Sequence, residues 1–171
     1  MNVLLIGLGG ASGNILNNIA EDSPNDFNCL YINTDKKSIE DSAIENKLHI
    51  DVKEDEDIKD SFKDITDSIL NHVKENNKIF VIAGLGGLTG SALLSLLGKL
   101  LKDNNHSAIG IVTKPFNFEG QKRKAVAEQG IAELVEEVDS LITIPNQKLM
   151  DILGKKTSME DAFAKADDIL K

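Results

Sequence analysis

Ala83-Gly84-Leu85-Gly86-Gly87-Leu88-Thr89-Gly90-Ser91 is the stretch on which the reading of this chain turns. The apolar run Ile79-Phe80-Val81-Ile82-Ala83 leads into it from Asn76-Asn77-Lys78, and an apolar helical run over residues 92–101 follows. The order is strand, glycine turn, helix. Glycines at 84, 86, 87 and 90 admit backbone conformations closed to side chains and let a ligand approach the main chain. Thr89 or Ser91 is placed to cap the helix. The free N–H groups of its first turn, at the positive end of the helix dipole, make an anion site, usually for phosphate. Taken alone, the stretch fits a tight turn without ligand equally well.

A second unit of the same kind opens the chain. Val3-Leu4-Leu5-Ile6 reads as a fully buried strand, Gly7-Leu8-Gly9-Gly10-Ala11-Ser12-Gly13-Asn14 as a glycine loop, and residues 15–20 as the start of a helix. The loop resembles the dinucleotide fingerprint G-x-G-x-x-G but has Ser12 where the third glycine belongs, so by itself it is a weak match. After the turn Ser23-Pro24-Asn25-Asp26, a strand over 27–32 ends in Asn33-Thr34-Asp35. Polar residues there either line a ligand crevice or cap the next short helix.

Leu48, Ile50 and Val52 alternate, as in a short or edge strand. Residues 51–57 hold five acidic residues in seven, which suits a solvated loop and a negatively charged helix start. Ile58, Phe62, Ile65, Ile69 and Val73 mark one helix face. A strand over 107–113, a long loop over 114–120, a helix over 121–138 and a strand over 141–144 follow. Pro145-Asn146 closes that strand and a short helix runs to Leu153. Gly154-Lys155-Lys156 breaks this helix, and Thr157 with Glu160 forms a capping box. Met159, Ala162, Phe163, Ala166, Ile169 and Leu170 then make an apolar stripe. This alternation predicts an α/β fold of three layers, with a mainly parallel sheet and helices on both faces, as a single domain over residues 1–171.

Composition narrows the partners. Of 171 residues 41% are hydrophobic and 27% charged, and the net charge of −9 disfavours nucleic acid as a partner. Cys29 is the only cysteine, which excludes an internal disulfide or a cysteine metal cluster and points to a reducing cytoplasm. The apolar opening is too short for a signal peptide or a membrane span, so no membrane insertion is expected. His49, His72 and His106 lie far apart in polar settings and read as surface residues, with no metal site.

In such a fold the carboxyl ends of all strands share one edge of the sheet. Two glycine-rich loops converging there imply a ligand with more than one phosphate. No lysine follows the glycines, so the phosphates would be held by backbone N–H groups and helix ends, an arrangement compatible with a magnesium ion. Asn14, Asn33, Asn146 and Asp167 can contact sugar and base, and Glu119 can accept from ribose hydroxyls.

Together these motifs resemble the tubulin/FtsZ family of GTP-binding proteins. The 84–91 stretch is similar to the family's G-G-G-T-G-[ST]-G loop, and Val112-Thr113-Lys114-Pro115-Phe116-Asn117-Phe118-Glu119-Gly120-Gln121-Lys122-Arg123 to its V-T-K-P-F-x-F-E-G-x-x-R segment. Ile32-Asn33-Thr34-Asp35, Ile144-Pro145-Asn146 and Ala162-Phe163-Ala164-Lys165-Ala166-Asp167 also match, in the family's order. The resemblance covers the family's N-terminal nucleotide domain. It implies GTP or GDP as the cofactor, with Mg2+ held through the phosphates. Gly9, Gly10, Ala11, Ser12, Gly13 and Asn14 would surround the phosphates with Gly86, Gly87, Leu88, Thr89 and Gly90. Glu119 and Arg123 would sit near ribose and phosphates, Asn33 would supply a further polar contact, Asn14, Asn146 and Asp167 would contact guanine, and Phe163 would stack on it. Residues 163 and 167 share a helix face by their spacing alone.

Three departures shape the expectations. Residues 51–57 stand where the family has a glycine-rich loop sensing the terminal phosphate, which predicts weak discrimination between GTP and GDP. Leu88 replaces a glycine, and Ser91 a threonine. The sequence stops at Lys171, four residues after Asp167, before the second domain whose acidic loop completes catalysis on a neighbouring subunit. No residue here is a general base, so slow or absent hydrolysis is expected, with catalysis completed in trans. The implied partner is a full-length family member, a separate C-terminal domain or another copy, in filament assembly and cell division. Two other readings remain: a Rossmann-type dinucleotide binder, favoured by the first glycine loop and Asp35, and a nucleotide-free scaffold or filament-capping protein.

Overall fold

A computed structural model describes residues 2–23, 26–76, 78–153 and 157–170. The elements run β1 (Val3–Leu8), α1 (Gly9–Asp22), β2 (Asn28–Asn33), α2 (Lys36–Asp41), β3 (Asn46–His49), α3 (Ile58–Lys63), α4 (Thr66–Lys74) and β4 (Lys78–Gly84). They continue with α5 (Leu88–Asp103), β5 (Ala108–Lys114), a 3-10 turn (Asn117–Glu119), α6 (Gln121–Leu134), β6 (Ser140–Pro145), α7 (Asn146–Leu153) and α8 (Met159–Leu170). Among the described residues the strands form one sheet in the order β3-β2-β1-β4-β5-β6, every pairing parallel.

The sheet is covered on both sides because its central strands, β1 and β4, carry no polar side chain after Lys78 at the start of β4. The pleat sends alternate side chains of β1 to opposite faces. Leu4, Ile6 and Leu8 join Leu93, Leu94, Leu97 and Leu101 of α5 in the larger core. Val3 and Leu5 pack with Ile15, Leu16 and Ile19 of α1 in the other. The helices that follow β1 and β4 therefore lie on opposite faces of the sheet. β1 pairs with β2 on one side and β4 on the other, with Leu8 opposite Ala83. Strand order reverses at this pair, which opens a crevice at the carboxyl ends of the two strands.

Several local expectations shift. The glycine loop over 7–14 is split: Gly7 and Leu8 finish β1, and Gly9 already starts α1. The stripe from Ile58 to Val73 belongs to two helices, broken at Asp64 and Ile65, yet its residues still face the core. The helix expected over 121–138 ends at Leu134. β3 is the short edge strand, with Ile50 buried just beyond it and Val52 exposed. The proposed break at 154–156 lies outside the described residues.

The capping box expected from Thr157 and Glu160 is replaced by a simple cap one residue later, at Ser158. Ser158 Oγ accepts from the Asp161 N–H at 3.1 Å and donates to its carboxylate at 2.7 Å, while Thr157 Oγ1 donates to the Leu153 carbonyl. Ser158→Ala is accordingly expected to cost about 1 kcal/mol in urea denaturation, with Thr157→Ala costing less. The stripe of α8 is only partly covered: Ala162 and Ala166 are buried, whereas Met159, Phe163 and Ile169 are exposed.

Candidate functional site

The first turns of α1 and α5 meet at the reversal point. Gly9 takes φ +77°, and a methyl placed on it would lie 3.5 Å from Gly90 Cα. Both helices start without a side-chain cap and without an acidic residue in the first turn. By contrast, α2 and α3 are capped by Asp35 and Asp57. The orphan N–H groups at the two uncapped starts are thus left to bind something else, and both dipoles favour an anion there. The expected cap from Thr89 or Ser91 is not made, because α5 begins at Leu88. Thr89 Oγ1 instead lies 3.3 Å from Thr34 Oγ1, and Ser91 Oγ accepts from the Gly86 N–H at 3.5 Å.

These helix starts line a cleft of about 310 Å³, together with Asn33, Thr34, Gly84, Gly87 and Arg123. It continues into a smaller recess of about 70 Å³ that shares Ala11, Gly84 and Arg123 with it. Glu119, Asn146, Phe163 and Asp167 complete this recess. The structure therefore draws residues from α1, α5, α6, α7 and α8 to one edge. None of residues 51–57 lines the cleft; all are exposed except the half-buried Glu56.

Within the recess, Asn146 is 6% exposed and its side-chain oxygen has no hydrogen-bond partner. Burial pushes the Asp167 carboxyl up to about 6, helped by the charge of Asp168 and partly opposed by a hydrogen bond from the Asn14 side chain. Phe163 keeps one side open while meeting Phe116 edge-on, ring centres 5.1 Å apart. Arg123 Nε lies 3.3 Å from Glu119 Oε1, and Glu119 Oε2 accepts from the Phe116 N–H at 2.7 Å. The pair holds Arg123 beside Gly87, where a methyl would come within 3.9 Å of the guanidinium.

Other expected residues have internal duties. Ser12 is fully buried and donates to the Gly9 carbonyl at 2.8 Å. Gly13 backs onto the Tyr31 ring, which leaves no room for a side chain. Asn33 lines the cleft, but its amide donates to the Tyr31 hydroxyl at 2.8 Å and accepts from the Asp35 N–H at 3.2 Å. Gly86 takes φ +103° against the backbone of Arg123. Leu88 contributes the first turn of α5. Thr34, read from sequence only as one of three polar residues at a strand end, joins the cleft through its contact with Thr89; Ser38 on α2 also lines it and was not singled out.

A hollow of similar size opens at the opposite edge of the sheet, around Lys102, His106 and Asp139. Several of its polar groups are already paired within the protein. Asp139 accepts from the Ser107 hydroxyl and the Ala108 N–H, and Lys102 donates to the Glu136 carbonyl. Of the two buried side-chain oxygens without a partner among the described residues, Ser61 Oγ on α3 lines neither hollow, whereas that of Asn146 lies at the carboxyl edge with the open helix starts.

This α/β fold, with two uncapped helix starts over a cleft ending in acceptors, belongs to a class of phosphate-directed nucleotide domains. The model of the Tubulin/FtsZ family GTPase domain matches residues 2–154, and the chain belongs to that family. The cell division protein FtsZ of Wolbachia sp is 33% identical over 189 residues, covering 98% of this chain and 48% of that protein. FtsZ of Rickettsia bellii is 34% identical over 178 residues, covering 99% of this chain and 39% of the relative. The chain thus spans half or less of the length of these relatives. An empty FtsZ dimer from M. jannaschii superposes with a TM-score of 0.90 at 26% identity, over 99% of this chain and 52% of that one. The GDP-bound CetZ1 monomer of Haloferax volcanii shares the fold, with a TM-score of 0.82 at 22% identity, over 99% of this chain and 58% of that one. No helix among the described residues is long and apolar enough to cross a membrane.

Proposed function

We propose that this chain binds a guanine nucleotide in the cleft and serves as the nucleotide-binding unit of a cytoplasmic, FtsZ-type filament system related to cell division. The observation that carries the reading is the buried, unpartnered side-chain oxygen of Asn146 in the recess it shares with Asp167 and Phe163. A buried acceptor left unpaired is costly unless a ligand donor meets it. Guanine presents N1–H and N2–H donors along one edge, which suit two acceptors; adenine presents an acceptor at N1, which does not. Phosphates would run from there to the N–H groups of Gly9, Gly10 and Ala11 and of Leu88, Thr89 and Gly90. Among the described residues no group of three or more His, Cys, Asp or Glu could hold a metal, so magnesium would enter with the phosphates.

The dinucleotide reading loses support at Asp35. Its carboxylate accepts from the Ser38 hydroxyl and from the Ser38 and Lys37 N–H groups, leaving little for a ribose. Those bonds, the Ser38 hydroxyl first, hold the Asp35 carboxyl below its usual range. Asp35 is the one carboxylate among the residues lining the larger cleft, and it is a weak base. Hydrolysis therefore depends on an acidic loop supplied in trans, by a full-length relative, a separate C-terminal domain or another copy.

Acid release of nucleotide from freshly purified protein, followed by chromatography, tests the reading. GDP or GTP near one per chain is expected. A protein that is empty and takes up no added GTP would overturn it in favour of a scaffold role. With residues 51–57 outside the cleft, affinities for GTP and GDP are expected to lie within about tenfold of each other. Hydrolysis by the isolated chain should be very slow; a brisk single-turnover rate would place a base in this chain.

A further inference from the structure

We infer that Phe118 is a positioning residue for the base, acting through the ring of Phe163; this rests on reading the cleft as a guanine-nucleotide site. Phe116 and Phe118 stack with ring centres 4.9 Å apart and planes at 11°. Phe163 meets both edge-on, at 5.1 Å and 87° to Phe116 and at 5.9 Å and 83° to Phe118. The three rings join two parts of the site. Phe118 directly precedes Glu119 on the loop that leads to Arg123, and Phe163 lies on α8, one turn before Asp167.

Phe118 is 43% exposed, and a bystander role would be to shield Phe116, which is 1% exposed. Shielding alone does not require contact with Phe163. The neighbours of Phe163 on its own helix explain why that contact matters. Among the described residues the buried hydrophobic side chains there are Ala162 and Ala166, too small to confine a phenyl ring, and Phe163 itself is 39% exposed. Without lateral support the ring is free to sample other staggered rotamers, some of which swing it out of the recess. The stacked pair blocks that path from the loop side. Its edge-to-face contacts favour one ring orientation, because the positive ring edge meets a negative ring face. Phe118 thus preorganises the stacking surface and need not touch the nucleotide.

A double-mutant cycle reads this directly, with GDP as the probe and affinity measured calorimetrically on wild type, Phe118→Leu, Phe163→Leu and the double variant. Phe118→Leu is expected to weaken GDP binding by roughly fivefold and Phe163→Leu by more. The double variant should bind like Phe163→Leu alone, since a residue acting through another has no further effect once that partner is gone. Phe118→Tyr, which keeps the stacked ring, should restore wild-type affinity, and circular dichroism checks that each variant is folded. Losses that add, an unaffected Phe118→Leu, or failure of a folded Tyr variant to rescue would each overturn the inference while leaving the nucleotide site standing. A wild type that binds no GDP would remove the functional reading itself, and this inference with it.

Discussion

Asp167→Asn is expected to weaken GDP binding by at least about a hundredfold while raising the thermal stability of the nucleotide-free protein. The two effects have one cause. The Asp167 carboxylate sits in the recess with Asn146 and Phe163, and burial holds its carboxyl up at about 6. A charge kept there without a ligand is a liability that the guanine N1–H and N2–H donors would relieve. Hydrogen bonds to a charged group contribute roughly 1.5–3 kcal/mol each, so losing one and leaving a guanine donor unpaired against an amide donor predicts a factor of about 10² or more. Asparagine is nearly isosteric but turns one acceptor into a donor, setting it against a guanine donor. The variant should therefore shift toward a xanthine nucleotide, whose ring carries an oxygen at that corner.

The pH dependence has a definite sign. Nucleotide binding needs the ionised Asp167, so wild-type affinity is full above the folded value near 6 and falls below it, by up to tenfold per pH unit. The stability of the nucleotide-free chain moves the other way. Asp167 binds its proton more tightly folded than unfolded, so its ionisation lowers stability as pH rises from about 4 to 6. Asp168 raises the same carboxyl and Asn14 opposes it, so both belong in the interpretation. In Asp167→Asn both dependences should flatten. Calorimetric titration with GDP from pH 5 to 8, with melting curves of the nucleotide-free protein from about pH 4 upward, checks all of this; a variant that still binds GDP within tenfold of wild type would place the base elsewhere.

Gly90→Val is expected to destabilise the protein by about 3 kcal/mol or more in urea denaturation and to abolish nucleotide binding. A methyl on Gly90 would come within 2.9 Å of the Gly84 carbonyl oxygen, a backbone atom of β4 that cannot move without disturbing the sheet. Gly10→Ala is the matched control. A methyl there meets nothing within 4 Å, and alanine is the better helix former, so stability should hold or rise slightly. Gly10 lines the cleft, however, so its methyl would intrude on the phosphate space and weaken GDP binding. A Gly90→Val protein as stable as wild type would show that α5 is not seated by this close approach.

The two glycine stretches illustrate how far local sequence carries. Glycines at 84, 86, 87 and 90 mark a place where backbone passes close to something, and the structure supplies one answer in the Gly90 approach to Gly84. Their low helix propensity suggested loops through Asn14 and Ser91. The helices nevertheless begin at Gly9 and Leu88, because seating their first turns against neighbouring strands outweighs a weak local preference. The stripe from Ile58 to Val73 likewise records which residues are buried but not the break at Asp64, since α3 and α4 both keep the stripe inward. Asn33 was legible as a polar strand end; that its amide is held by Tyr31 was not, because the bond needs the local backbone path of β2.

By itself the sequence determined the alternation of strands and helices, the burial of the central strands, the residues grouped at the carboxyl edge and the family these motifs resemble. Burial and turn chemistry are written residue by residue in apolar periodicity and glycine placement. Only the tertiary structure decided that β1 and β4 are neighbours at the reversal of strand order, that α1 and α5 lie on opposite faces with uncapped starts converging, and that residues 51–57 stay out of the cleft. It alone left the Asn146 oxygen buried without a partner and joined Phe118 to Phe163. Strand order and side-chain pairing depend on contacts between residues tens of positions apart, and no local pattern encodes them.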